Sequence, residues 1–144
     1  MAHHCDAALV TCEDFRLHQR SDGSNCMVEF IQHQGTDCDV ITRAGGIQDL
    51  VRPKPGHDES LLRDLAVSAG LHRVRRFLLV QHQDCGAYKP LGLTSPEAEI
   101  HRHTEDLQAA QSILKARFPG IEILLFVARL KPGSADKYIV EPVQ

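Results

Sequence analysis

The sequence has no surplus of basic residues: 16 Lys and Arg stand against 19 Asp and Glu, a formal net charge of -3. That balance argues against a nucleic-acid or membrane-surface partner, since both demand clustered positive charge. There is no long apolar span and no charged-then-apolar leader, so neither a transmembrane helix nor a secretion signal is expected and the reading is a cytoplasmic protein. Neither a GxGxxG nor a P-loop pattern is present, which excludes the common nucleotide sites. Internal repeats and low-complexity stretches are also missing. The five cysteines, Cys5, Cys12, Cys26, Cys38 and Cys85, are odd in number and irregular in spacing. Without a secretion signal they suit reduced thiols and metal ligation better than a disulfide framework. What remains is a chain of 144 residues, 42% apolar and 24% charged, which fits one soluble domain over residues 1–144, with 1–6 as a short lead-in, acting on a small molecule.

Two short apolar runs organise that domain. Ala7 to Val10 leads into Cys12, Asp14 and Arg16, and Phe77 to Val80 stops at His82 and Cys85. Both read as buried strands ending in thiols. Further strands are expected at Asp39–Thr42 and at Ile123–Ala128, the latter central or near-central because it is wholly apolar. A short helix is expected from Cys26, with Cys26, Met27, Phe30 and Ile31 on its inner face, ending near Gly35. Another should follow the Arg52 to Gly56 linker, capped by Asp58 or Ser60 and stopped by Gly70. A helical turn is expected at Gly86 to Lys89. Ser95-Pro96-Glu97 starts a long helix whose buried face includes Ile100, Leu107, Ala110, Ile113, Leu114 and Phe118. Strands alternating with helices predict an α/β fold: a mainly parallel central β-sheet flanked by helices. A closing edge strand, antiparallel, is expected near Lys137 to Val140.

In an open parallel sheet, chemistry collects beyond the carboxyl ends of strands near the switch point in strand order. Cys12, His82 and Cys85 would meet there. Singly, each reads as a buried thiol or a satisfied core histidine. Together they form a zinc ligand set, because imidazole and thiolate are common zinc ligands and His82 and Cys85 fall on one strand-to-helix turn. The paired glycines Gly45 and Gly46 end the second strand, where positive φ and close backbone approach are available. His18, His101 and His103 read as solvated, Cys26 as core, Cys38 as structural and Asp84 as a turn residue. His3, His4 and Cys5 are a candidate accessory metal set at the chain start.

With CxDxR at Cys12, Asp14 and Arg16, HxxC at His82 and Cys85, and Ala44-Gly45-Gly46 between them, the chain resembles the β-class carbonic anhydrases over roughly residues 7 to 130. The resemblance implies zinc-dependent, reversible hydration of carbon dioxide to bicarbonate through zinc-bound hydroxide, with Cys12, His82 and Cys85 as the protein ligands. It implies that Asp14 orients the nucleophile while Arg16 holds Asp14, and that Gly45 and Gly86 line the substrate site. In the family's resting form this aspartate leaves the arginine and joins the metal. A homodimer, or an assembly of dimers, is implied as well.

Three departures stand beside it. Met1 to Asp6 occupy the place of the family's helical arm, so a pocket glutamine contributed from near that arm has no counterpart. The family's Arg-Asn-Ala-Gly loop is here Thr42-Arg43-Ala44-Gly45, which would put Arg43 either across the pocket or in contact with an anion. The chain also ends soon after the closing strand. The alternative reading is an offshoot without carbon dioxide hydration, either a hydrolase of carbonyl sulfide or carbon disulfide or a silent zinc protein that binds an anion.

Overall fold

The computed structural model describes residues 3–143. Its strands are β1 (Ala7–Thr11), β2 (Cys38–Thr42), β3 (Arg76–His82), β4 (Glu122–Leu130) and β5 (Tyr138–Pro142), and its helices are α1 (Cys26–Gln34), α2 (Gln48–Val51), α3 (His57–Val67) and α4 (Pro96–Arg117). They form one sheet in the order β2-β1-β3-β4-β5. The first four strands are parallel, and β5 closes the edge antiparallel to β4. This is the α/β fold expected from the alternation of apolar runs.

The chain runs from β1 to β2 on one side and then crosses to β3 on the other, so the order reverses between β1 and β3. Register fixes what lies at that crevice. Thr11 pairs with Val80, which leaves Cys12, one residue on, level with the end of β3 where Gln81 and His82 lie. Side chains alternate across the sheet and build a core on each face. Ala8, Val10, Phe77 and Leu79 pack under Leu61 and Leu65 of α3 and Leu107 and Leu114 of α4. Ala7, Leu9, Leu78 and Val80 pack against Met27 and Phe30 of α1 and against Tyr88.

Local chemistry explains the helix ends. The Asn25 side chain accepts the Val28 amide to cap α1, and Gly35 closes it in the left-handed region. Ser95 Oγ accepts the Ala98 amide, with Pro96 in the first turn of α4. The start of α3 differs from expectation. Gly56, at φ 85, turns the chain straight into the helix, so Asp58 and Ser60 fall inside the first turn and no side chain caps it. Gly70 does not stop it either: the chain continues as a π-helical turn over Ser68–His72 and ends at Arg73, φ 53. Short α2 was not expected, since four residues offer too little periodicity. Ile113 is exposed and Cys26 half-buried, both contrary to expectation. No helix among the described residues is long and apolar enough to cross a membrane.

Candidate metal centre

The crevice between β1 and β3 brings together three of the residues singled out from sequence. Ligand atoms of Cys12, His82 and Cys85 all lie within 4.8 Å of one another, and all three residues are buried. Hydrogen bonding fixes the imidazole. His82 Nδ1 donates to the Gln83 carbonyl at 3.0 Å, beside the Tyr138 hydroxyl at 3.2 Å. That hydroxyl itself donates to the Gln83 carbonyl at 3.0 Å. The ring therefore presents Nε2 as a lone pair, and Nε2 is buried without any hydrogen-bond partner. An orphaned buried acceptor facing two thiols is what a cation would satisfy.

The thiols give the same answer from charge. A hydrogen bond from Cys85 holds the Cys12 thiol down, to about 4, with help from His82 and the Gly45 amide and against the effect of burial. The resulting thiolate, together with burial, pushes Cys85 well above its ordinary value. One buried negative sulfur thus resists a second, and both ionise together only if a cation lies between them.

Asp14 and Arg16 stand beside this set as a forked pair. Arg16 Nε donates to Asp14 Oδ1 at 3.0 Å and Nη2 to Oδ2 at 2.8 Å, while the Arg16 amide donates to Oδ1 at 2.9 Å. The guanidinium holds the Asp14 carboxyl down to about 2. Arg16 is itself fastened: Nη1 donates to Asp84 Oδ2 at 2.9 Å and Nη2 to the Asp84 carbonyl at 2.8 Å. Asp84 is thus more than a turn residue. It sits at φ 60 and anchors the arginine. Asp14 is engaged by Arg16 and is not among the residues whose ligand atoms cluster.

Of the two glycines expected at the substrate site, Gly45 donates its amide to Cys12 Sγ at 3.4 Å, and a Cβ there would come 2.7 Å from Gln48 Oε1. Gly86 opens the 3-10 turn Gly86–Leu91, and a Cβ would meet nothing within 4 Å, so packing does not demand glycine. Arg43 is taken up by Asp49, to which Nε donates at 2.9 Å, and by the His57 carbonyl at 3.3 Å.

Against that geometry, residues 2–134 match the model of a protein family described as "Putative carbonic anhydrase". The chain belongs to that family. An uncharacterized protein of Rickettsia bellii is 30% identical over 129 residues, covering 85% of this chain and 75% of the relative. Among solved structures, a carbonic anhydrase from Streptococcus mutans superposes with a TM-score of 0.59 at 17% identity, covering 99% of this chain and 84% of the other. A carbon disulfide hydrolase superposes with a TM-score of 0.55 at 16% identity, covering 90% and 76%. Both share the fold. The β-class resemblance seen in the motifs is thus met by the family match and by carbonic anhydrases of the same architecture.

This member of the carbonic anhydrase family supports its centre with residues that the sequence did not disclose. Gln81 Nε2 donates to the Gly45 carbonyl at 2.9 Å and to the Tyr88 hydroxyl at 3.0 Å, and its Oε1 accepts the Ile47 amide at 3.0 Å. The Tyr88 hydroxyl donates to Asp106 at 2.6 Å, and Asp106 is forked by Arg52. Glu99 accepts the amides of Asp84 and Cys85, fixing the turn that carries the second thiol. His103, expected in solvent, is 0% exposed, with its ring 4.2 Å from that of Tyr88. Burial lowers it to about 4, so it is neutral near neutral pH. Its position was readable: 100, 103, 107, 110 and 114 make one helical stripe.

Proposed function

We infer that the protein catalyses the reversible hydration of carbon dioxide to bicarbonate at a zinc ion held by Cys12, His82 and Cys85. The observation that carries this reading is the bare, buried Nε2 of His82 turned to two thiols, with the Asp14–Arg16 fork beside them. Two thiolates and one imidazole suit zinc and leave a fourth position open, as catalytic zinc sites do. Bound there, zinc would supply the Lewis acidity that brings a water's pKa towards neutrality.

The chain's own residues do the rest. Asp14 Oδ1 already receives two donors and Oδ2 one, so a single acceptor lone pair remains, on Oδ2. With its carboxyl held down to about 2, Asp14 stays ionised and can only accept. It would therefore accept a hydrogen bond from the attacking oxygen and turn that oxygen's lone pair towards carbon dioxide. Arg16, fastened by Asp84, keeps the carboxylate on that bearing. Gly45 keeps its amide on Cys12 at a place where a side chain would strike Gln48 and Ala87.

The deciding experiment is a stopped-flow assay of carbon dioxide hydration on zinc-loaded protein at mildly alkaline pH. The expected result is a rate well above the uncatalysed background, lost on chelation and regained with zinc. No hydration, with hydrolysis of carbon disulfide or carbonyl sulfide by the same preparation, would replace the substrate and keep the centre. Inactivity on all three would leave a silent zinc protein.

A further inference from the structure

The opposite end of β1 carries a second meeting of metal-ligating side chains, which plays no part in the reading above. Cys5 precedes β1, Asp39 is the second residue of β2, and His72 ends the π-helical turn before β3. A ligand atom of each lies within 4.8 Å of the others, and all three are half-buried. Cys5 and Cys12 lie seven residues apart along an extended chain, so the two clusters are roughly 20 Å apart. They lie at opposite ends of the strands of one sheet.

Main chain and side chain both fix this cluster. His72 Nδ1 lies 2.7 Å from Oδ2 and 2.8 Å from Oδ1 of Asp39. The Cys5 amide donates to the His72 carbonyl at 3.3 Å, so the thiol and the imidazole are tied through the backbone. Next to Cys5, the Asp6 carbonyl accepts the amides of Arg75 at 2.9 Å and Arg76 at 3.2 Å, which locks the lead-in to the start of β3. Arg73, at φ 53, turns the chain sharply after His72. Pairing of His72 with Asp39 accounts for two members. The Cys5 thiol, which donates to the Ala7 carbonyl at 3.5 Å, lies within reach of both.

We propose that Cys5, Asp39 and His72 form a second binding site for a zinc-like divalent cation, separate from the Cys12–His82–Cys85 centre. One sulfur, one nitrogen and one carboxylate oxygen are each established zinc donors, and three of them converging leaves further positions for water or another side chain. On binding, the Cys5 thiol gives its proton to solvent and the sulfur bonds to the metal. The Nδ1 proton that His72 donates to Asp39 is exchanged through solvent for one on Nε2, and the imidazole and the carboxylate give up their mutual hydrogen bond to bind the cation. Burial raises the Cys5 thiol, and a cation bound to its sulfur would hold the thiolate form. The ion has a way in: Cys5 opens onto a cleft of about 880 Å³ that His4, Asp6 and Asp37 also line. Of the accessory set expected from sequence, His3-His4-Cys5, only Cys5 belongs to this cluster; its partners come from β2 and from the turn after α3.

Such a site would clip the lead-in, β2 and the turn before β3 together, stabilising the folded chain by mass action. The test titrates reduced, metal-free full-length protein with cobalt(II), following thiolate-to-cobalt charge transfer and bound metal per chain. Two equivalents are expected for the natural sequence and one for Cys5→Ser, which changes a single atom, and for His72→Gln. A His82→Ala/Cys85→Ser variant should keep one equivalent, and should lose it when Cys5→Ser is added. If the natural protein binds a single equivalent that survives Cys5→Ser and disappears with His82→Ala/Cys85→Ser, the second site is wrong and the first stands. A single equivalent lost in Cys5→Ser and His72→Gln but kept in His82→Ala/Cys85→Ser would mean the reverse.

Discussion

Asp14 has four contacts to satisfy and three donors from Arg16, and that shortfall of one makes it useful. Asp14→Asn keeps the shape and loses the charge that holds Arg16, and one face of the amide becomes a donor. Turnover of the zinc enzyme is expected to fall roughly 10- to 100-fold, as for loss of an orienting partner at a metal site, with zinc content unchanged. Equal turnover by stopped flow would remove Asp14 from the mechanism. The same carboxyl also bears on stability. Its folded value, about 2, lies below its ordinary 3.8, so its contribution is complete above about pH 4 and is lost as the pH falls through about 2. At 1.36 kcal/mol per unit this is about 2 kcal/mol. Urea unfolding of metal-free natural and Asp14→Asn proteins should therefore show a gap at pH 5 that narrows towards pH 3. A gap independent of pH would mean that the ionisation of Asp14 contributes nothing to folding.

At the scale of elements, α4 holds the site from behind. Asp106 receives Tyr88, whose hydroxyl also accepts from Gln81, and Gln81 in turn fixes the glycine loop after β2. Tyr88→Phe removes one hydroxyl from a buried chain of hydrogen bonds and leaves Asp106 and Gln81 each short of a partner. It should cost about 1–3 kcal/mol in unfolding free energy. A loss within experimental error would show that the chain is not a structural tie. This is also where sequence reading stops. The apolar runs of β1, β3 and β4, and the cap at Ser95, are patterns of neighbours and were legible. Cys12, His82 and Cys85 were legible because each closes such a run. Glu99 reaching back to the Asp84 and Cys85 amides joins residues on different elements and leaves no local period. Gly46 lies between the two kinds. Its glycine was visible, and its backbone is left-handed at φ 57, but only packing discloses the close approach, since a Cβ there would come 2.1 Å from Gln81 Oε1. His103 was misread because a polar residue on an apolar stripe was judged by its type and not by its place.

At the scale of the whole molecule, one uncovered aromatic side chain stands next to the centre. Phe15, the residue between Asp14 and Arg16, is 67% exposed, and Arg20 lies over its ring at 5.1 Å. A large aromatic held in water beside a site that works best when dry is a candidate for cover by another chain. The motif resemblance, with its implied homodimer, supplies the occupant: a second copy, with Phe15 at or near the contact. Sedimentation of the natural protein should then give twice the 16.0 kDa of one chain. Phe15→Asp should shift the equilibrium towards the single chain while circular dichroism stays native, because Phe15 is in neither core cluster. If turnover falls as the protein dilutes through its dissociation range, the second copy helps to complete the pocket. A natural protein that sediments as a 16.0 kDa species at every concentration would leave Phe15 exposed in solution and remove the dimer from any account of catalysis.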